Sequence, residues 1–193
     1  SGKYKHLVAG IEKADSWSTD GHKWLNVPFD SGLAFVAHPE HHRAAMTTDA
    51  SYLIADNENR DQIDWNPDWS RKARGYAIYA ALRSLGREGI AEIIENCCQH
   101  TEKLADGISA LPGVEILAEP TINQALIRFL SKDGDHDKYT NEVIARIQKS
   151  GEAWFGGTTW RSQRAMRISV CNWRTTNEDV DRAIASIKSA IEI

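Results

Sequence analysis

The chain has 193 residues, enough to bury a sizeable hydrophobic core, and its 23 Lys and Arg against 27 Asp and Glu leave a formal net charge of −4. It has no basic stripe, which makes nucleic-acid binding a poor first hypothesis, and no apolar run approaches the roughly 20 residues that span a bilayer. No signal peptide opens the chain, so we expect a soluble, cytoplasmic protein without a membrane or nucleic-acid partner.

The first part of the sequence predicts two strands joined by a polar connection. A short helix at 6–13 precedes strands at 14–19 and 32–37, and the connection at 20–24 lies between these strands. Residues 38–69 have few periodic apolar positions and many Asp, Asn and Pro residues, which favours a long loop.

The second part predicts a small α+β domain. Helical spacing of apolar residues indicates helices at 71–85 and 88–110, with Gly86 placed where a left-handed residue ends the first. The remaining elements are strands at 114–118 and 124–129, a helix at 136–150, strands at 153–159 and 165–171, and a last helix that opens with a capping box from Thr175 to Glu178. The order β-β-α-β-β-α is typical of a largely antiparallel sheet covered by helices.

The cysteines and histidines do not predict a metal site. Cys97, Cys98 and Cys171 give an odd count, and two of them are adjacent in a predicted helix, so we expect reduced and mostly buried thiols. His41 and His42 lie in a polar loop without a second cluster of ligands, and we assign no metal.

Lys23 is the candidate for chemistry, because it lies between the two predicted strands and is flanked by His22 and Trp24. Taken alone, a lysine on such a connection usually faces water. A lysine can also form an imine with a carbonyl compound when burial or nearby positive charge favours the neutral amine.

The segment at 14–32, ADSWSTDGHKWLNVPFDSG, resembles the cofactor-lysine segment of the group II pyridoxal-phosphate (PLP) dependent amino-acid decarboxylases. This family includes the aromatic-amino-acid, glutamate and histidine decarboxylases. It carries Asn or Asp, one further residue and then His-Lys, which Asp20, Gly21, His22 and Lys23 match. The resemblance implies that PLP is held as a Schiff base on Lys23, with His22 and Asp20 beside it.

Two further positions agree with the family. The segment at 49–53, DASYL, resembles a mobile loop whose tyrosine protonates the substrate carbon, which implies that role for Tyr52. The segment at 166–170, MRISV, resembles a strand whose arginine pairs with the substrate α-carboxylate, which implies that role for Arg167. Taken alone, such a tyrosine more often packs in a loop, and a strand arginine as often faces solvent.

The resemblance implies an α/β fold, namely the C-terminal part of a PLP-dependent transferase of the aspartate aminotransferase-like fold type I with a small α+β C-terminal domain. Residues 1–85 would be the remnant of the large PLP-binding domain, with the lysine and the mobile loop, and residues 86–193 the small domain. By this resemblance the chain would have less than half of the family's length and would start after the aspartate that pairs with the pyridine nitrogen. We therefore expect negligible turnover from these residues alone, and an apolar strand at 33–36 that is uncovered or paired with another chain.

The implied function is that of a PLP-dependent carboxy-lyase, a homodimer that converts a small L-amino acid to the amine and CO2. Two alternatives remain open. One is a PLP-dependent aminotransferase or lyase on the same fold, against which Tyr52 argues because transamination has no use for a proton donor on that loop. The other is a non-catalytic assembly domain.

Overall fold

The computed structural model describes residues 1–48 and 59–191, and the chain forms two compact units. One unit is Lys5–Ser84, and the other combines Ser1–Tyr4 with the chain from Leu85 onward. Each unit contains its own antiparallel sheet.

The first unit is built around two antiparallel strands, β1 (Ser16–Asp20) and β2 (Gly32–Val36). The register pairs Asp20 with Gly32, so the last residue of β1 lies directly opposite the first residue of β2. The connection between them contains a one-turn helix, α1 (Gly21–Trp24). Within the described chain the two strands pair only with each other, and their stacked rings, Trp17 and Phe35, are 38% and 41% exposed. Of the segment at 33–36, Ala34 and Phe35 are exposed whereas Leu33 and Val36 are half-buried, so the expected uncovered strand is found in part.

Two expectations for this unit were wrong. The helix predicted at 6–13 consists of two short 3-10 turns, Lys5–Val8 and Ile11–Lys13, because Gly10 between them has a φ of 93°, which an α-helix does not accommodate. The long loop predicted at 38–69 begins with helix α2 (Pro39–Met46), which opens with a proline in its first turn and buries none of its residues. The sequence did not predict this helix because its apolar residues do not form a stripe along one face.

Helix α3 (Arg74–Ser109) is broken at Gly86, where φ is 62° and ψ is −172°. The positive φ at this position was expected, whereas the ψ differs from that of a left-handed helical residue and belongs to a region that is essentially restricted to glycine. The two predicted helices are thus joined end to end through one glycine.

The second unit is a four-stranded antiparallel sheet in the order β3-β4-β6-β5, packed on helices. Its elements are β3 (Val114–Thr121), β4 (Gln124–Phe129), α4 (His136–Ser150), β5 (Gly156–Trp160), β6 (Gln163–Ser169) and α5 (Asn177–Ile191). The predicted order of elements is confirmed. One core cluster joins α3, α4 and α5 to the sheet, and its fully buried side chains include Ile108, Ile127, Phe129, Val143, Ile147, Met166, Ile168 and Ile187.

Side chains of α4 complete the end of β4. Leu130 N–H donates to Gly113 O, so the preceding cross-strand pair, Val114 and Phe129, is not hydrogen-bonded, and the N–H and C=O of Phe129 point away from β3. The pairing of β4 with β6 has ended by then, at Ile127. Thr140 Oγ1 accepts from Phe129 N at 3.1 Å and donates to Phe129 O at 3.3 Å, so both groups are satisfied.

The N-terminus of α5 is capped one residue later than predicted. Asp179 N–H donates to Thr176 Oγ1 at 3.2 Å, and the Asp179 carboxylate accepts from the backbone N–H and the hydroxyl of Thr176. The capping box therefore runs from Thr176 to Asp179 rather than from Thr175 to Glu178, because the first helical residue is Asn177. The hydrogen bonds from Thr176 lower the pKa of the Asp179 carboxyl.

Cys97 and Cys98 are buried and Cys171 is half-buried, and no disulfide joins them. Burial raises the pKa of the Cys97 thiol to about 11, because the interior disfavours a thiolate. Among residues 1–48 and 59–191 there is no group of three metal-binding side chains, and no helix long and apolar enough to cross a bilayer.

Candidate functional site

Lys23 lies on α1, the single helical turn that links β1 to β2. The turn is anchored at Gly21, whose N–H donates to Ser31 O at 2.7 Å. A Cβ at Gly21 would lie 3.2 Å from Cγ1 of Ile78 on α3 and 3.3 Å from Ser31 O. Glycine at this position therefore allows the turn to pack closely against both α3 and the chain that enters β2.

The Lys23 amine is accessible and paired with a carboxylate. Its side chain is 65% exposed, and Nζ is 2.6 Å from Oδ2 of Asp20. The hydrogen bond from Lys23 is the largest of the influences that lower the pKa of Asp20. The structure thus brings together two of the residues expected at the cofactor site, with Asp20 as the partner of the lysine.

His22 is held by the chain that precedes β2. Its Nδ1 is 3.2 Å from Ser31 O, and because a carbonyl oxygen can only accept, Nδ1 is the donor. The ring packs against Phe29 with 4.5 Å between ring centroids. Nε2 has no hydrogen-bond partner in the part of the chain that the structure describes.

The turn at 28–31 holds the Ser31 carbonyl that contacts His22. Ser31 is 2% exposed, and its hydroxyl donates to Pro28 O at 3.0 Å. Asp30 has a φ of 78°, and its carboxylate is 2.8 Å from Nε of Arg74, which lowers the pKa of Asp30. Asp30, Ser31 and Arg74 were not identified from the sequence. The Asp-Ser-Gly run indicates a turn, but not that its carbonyl would contact the residue beside the lysine.

Arg167 lies in the second unit, on β6. Its neighbours Met166 and Ile168 are fully buried in the core, so alternation along the strand directs Arg167 to the opposite face of the sheet. There it lines an open depression of about 520 Å³ together with Thr158 and Trp160. No carboxylate of the described residues pairs with it, so its guanidinium is available to an anion.

The expected site residues are only partly brought together. Asp20, His22 and Lys23 share one turn of the first unit, Arg167 is in the other unit, and Tyr52 lies outside the described residues. The three residues of the turn supply a carboxylate, an imidazole and an accessible amine. This set fits the aldehyde end of PLP, because the amine can condense with an aldehyde and the imidazole is held beside the amine. None of these three residues is assigned as a partner of the pyridine nitrogen.

Comparison with known proteins gives one family and many relatives. The profile of the pyridoxal-dependent decarboxylase conserved domain matches residues 1–131. The aromatic-L-amino-acid decarboxylase of Drosophila melanogaster is 27% identical over 192 residues, which cover 98% of this chain and 37% of the relative. The 3,4-dihydroxyphenylacetaldehyde synthase of Aedes aegypti is 24% identical over 195 residues, which cover 99% and 36%.

Two solved structures share the fold. Oryza sativa TDC with PLP and tryptamine matches with a TM-score of 0.91 and 21% identity, over 99% of this chain and 41% of the other. Catharanthus roseus tryptophan decarboxylase in complex with L-tryptophan matches with a TM-score of 0.86 and 20% identity, over 100% and 41%. The expected α/β fold class is confirmed, and the chain spans less than half of the length of these relatives.

Proposed function

The chain belongs to the pyridoxal-dependent decarboxylase family, and we propose that the protein removes the α-carboxyl group of an L-amino acid with PLP as its cofactor. The observation that carries the proposal is the turn at 20–23, which presents an accessible lysine amine between an anchored histidine and a carboxylate. The family profile covers this turn. The assignment of residues 1–85 to a cofactor domain and of 86–193 to a small C-terminal domain stays a prediction.

Lys23 would hold the cofactor, because its accessible Nζ amine can condense with the aldehyde group of PLP. When bound, PLP supplies an electron sink for the electron pair that the departing CO2 leaves behind. Nζ must leave the carboxylate of Asp20 to react, so Asp20 holds the unreacted amine in a defined position. His22 would lie beside the cofactor, with Nε2 as its open ring nitrogen.

Arg167 binds the substrate α-carboxylate. Its side chain projects from the sheet face that is not packed on the helices, and two parallel N–H groups of a guanidinium fix the plane of a carboxylate. Fixing that plane orients the bond between the α-carbon and the carboxylate, which is a contribution from positioning rather than from chemistry.

Tyr52 donates the proton that replaces the carboxylate. The bond from the α-carbon to the carboxylate breaks, CO2 leaves, and the carbon takes a proton from the tyrosine hydroxyl. The product is the amine. This role rests on the resemblance of the segment at 49–53 to the family's proton-donating loop, and it predicts that the protein is a decarboxylase rather than an aminotransferase.

Two further proposals concern the whole protein. It acts as a homodimer, as the family resemblance implies, and aromatic L-amino acids are the first substrates to test, because several relatives are named for aromatic amino acids. These 193 residues alone turn over negligibly, because Lys23 exposes 65% of its side chain to solvent.

The test is chemical trapping of the cofactor lysine. The full-length protein and the 193-residue chain are incubated with PLP, reduced with borohydride and mapped by peptide mass spectrometry. We expect a phosphopyridoxyl adduct at Lys23 in the full-length protein, none in a Lys23→Ala variant, and an unchanged adduct in Lys13→Ala, which removes another exposed lysine of the same unit. An adduct on a different lysine would overturn the assignment.

Product analysis distinguishes the reactions open to this fold. The full-length protein is given L-tryptophan, L-tyrosine and L-phenylalanine, and CO2, amine, aldehyde and keto acid are measured. We expect CO2 and amine in equal amounts. Because two relatives are named as aldehyde synthases, an aldehyde with CO2 would replace the proposed proton transfer from Tyr52, and a keto acid without CO2 would indicate an aminotransferase.

A further inference from the structure

The turn that presents Lys23 also places one ring nitrogen of its neighbour, His22, against a backbone carbonyl oxygen. We infer that Ser31 is a positioning residue whose buried carbonyl oxygen fixes Nδ1 of His22 as a permanent donor, so that the ring gains and loses protons only at Nε2. The geometry stands without any cofactor, while its use in the reaction rests on the function proposed above.

The carbonyl oxygen of Ser31 accepts two hydrogen bonds. One comes from Gly21 N–H at 2.7 Å and the other from His22 Nδ1 at 3.2 Å. An sp² oxygen has two lone pairs, so both bonds can be made at once. Ser31 is 2% exposed, and little water can compete for the same oxygen. A single buried atom therefore joins the anchor of α1 to the imidazole.

The carbonyl allows only one neutral form of His22. If Nδ1 lost its hydrogen, its lone pair would face the lone pairs of Ser31 O, and the buried oxygen would lose a donor. The hydrogen consequently stays on Nδ1 whether the ring is neutral or charged. Nε2 has no partner among residues 1–48 and 59–191, so it is the position at which protons are exchanged.

The direction of this carbonyl depends on the turn at 28–31. The Ser31 hydroxyl closes that turn on Pro28 O at 3.0 Å, and Asp30, with its positive φ, is held by Arg74. An alanine at position 31 keeps the carbonyl but removes the hydroxyl that fixes its direction. The side chain of Ser31 thus acts on His22 through the backbone.

The arrangement has a specific chemical consequence at the proposed site. His22 is adjacent to Lys23, and its open nitrogen is an acceptor whenever the ring is neutral. It is therefore suited to accept a hydrogen bond or a proton from a hydroxyl group of the bound cofactor or substrate. A ring in the opposite tautomer would present a donor at the same place.

Nitrogen NMR measures this property directly and needs neither cofactor nor turnover. The full-length protein is labelled with ¹⁵N-histidine, and the signals that disappear in His22→Gln are assigned to His22. For the neutral ring we expect a pyrrole-type signal from Nδ1 and a pyridine-type signal from Nε2. Free histidine favours the opposite tautomer, so a wild-type ring with its hydrogen on Nε2 would overturn the inference.

A pair of serine variants tests the role of Ser31. In Ser31→Ala we expect the His22 signals to move towards the pattern of free histidine, and the Gly21 amide to exchange about tenfold faster with solvent. Ser18→Ala, at an exposed position of β1, should change neither. Unchanged His22 signals in Ser31→Ala would refute the positioning role. Borohydride trapping of Lys23, done separately, reports whether the proposed cofactor site itself fails.

Discussion

The substitution Thr140→Val removes one hydroxyl from the second unit and almost no volume. Thr140 is fully buried, and its hydroxyl is the partner of both the N–H and the C=O of Phe129, beyond the point where β6 stops pairing with β4. Valine fills the same space but leaves both backbone groups buried without a partner. A buried group in that state costs about 1–3 kcal/mol, and the carbonyl contributes the smaller part because its bond, at 3.3 Å, is long.

We therefore expect Thr140→Val to lower the free energy of unfolding of this unit by about 2–3 kcal/mol. Thr101→Val is the matched control, since Thr101 is also fully buried but its hydroxyl only donates to Cys97 O, a carbonyl inside helix α3. Its loss should cost less than about 1 kcal/mol, because that carbonyl can still accept the helical hydrogen bond.

The assay is native-state hydrogen exchange followed by mass spectrometry on peptides that contain β4. A loss of 2–3 kcal/mol corresponds to exchange faster by roughly 30- to 150-fold, since each 1.4 kcal/mol is a factor of ten. An effect of Thr140→Val as small as the one expected of Thr101→Val, below about 1 kcal/mol, would show that the end of β4 does not depend on the threonine hydroxyl, and would refute the reasoning.

Two other predictions concern the same unit. Thr176→Ala should cost about 1 kcal/mol in denaturant unfolding, whereas Thr175→Ala should be near neutral, because the cap is at position 176. The lowered pKa of Asp179 means that its contribution to stability is complete above the usual carboxyl pKa and is lost as pH falls through the lower folded value. The Thr176→Ala variant removes the hydroxyl but keeps the backbone N–H, so it should lose part of this acid dependence, and an equal acid dependence in both proteins would contradict the capping box. At pH 8, iodoacetamide should modify Cys171 well before Cys97, whose pKa is raised to about 11, and peptide mapping that finds Cys97 modified first would show that this part of the core opens easily.

The second unit was largely predictable, because its apolar pattern and its turns agree. The bounds predicted for β4 and α4 are those observed, since a short apolar run in one and a 3.6-residue stripe in the other leave little choice. The position of the capping box could not be predicted from the sequence pattern. The run Thr-Thr-Asn-Glu-Asp contains two overlapping capping boxes, and only the position of the first helical residue decides between them.

The first unit was less predictable, because little of it is buried against itself. Helix α2 has no buried residue, and the segment at 6–13 is exposed throughout. A periodic apolar pattern arises from burial of one face, so it could not indicate the structure of either segment. The candidate site was predictable only where its residues are consecutive. Asp20, His22 and Lys23 are on one turn. Ser31 is nine residues after His22 and contacts it through a carbonyl oxygen, and the pattern of side chains in a sequence does not predict such a backbone contact.

The two-stranded sheet has a practical consequence for work with this polypeptide on its own. Each of its strands has one edge occupied by the other strand and one edge whose N–H and C=O groups find no strand in the described chain. An open edge beside exposed Trp17 and Phe35 is a template on which further copies can add as extra strands. Aggregation that grows with concentration is therefore the expected behaviour of the isolated 193 residues, and dilute conditions or a solubilising fusion partner are the conditions in which to study them.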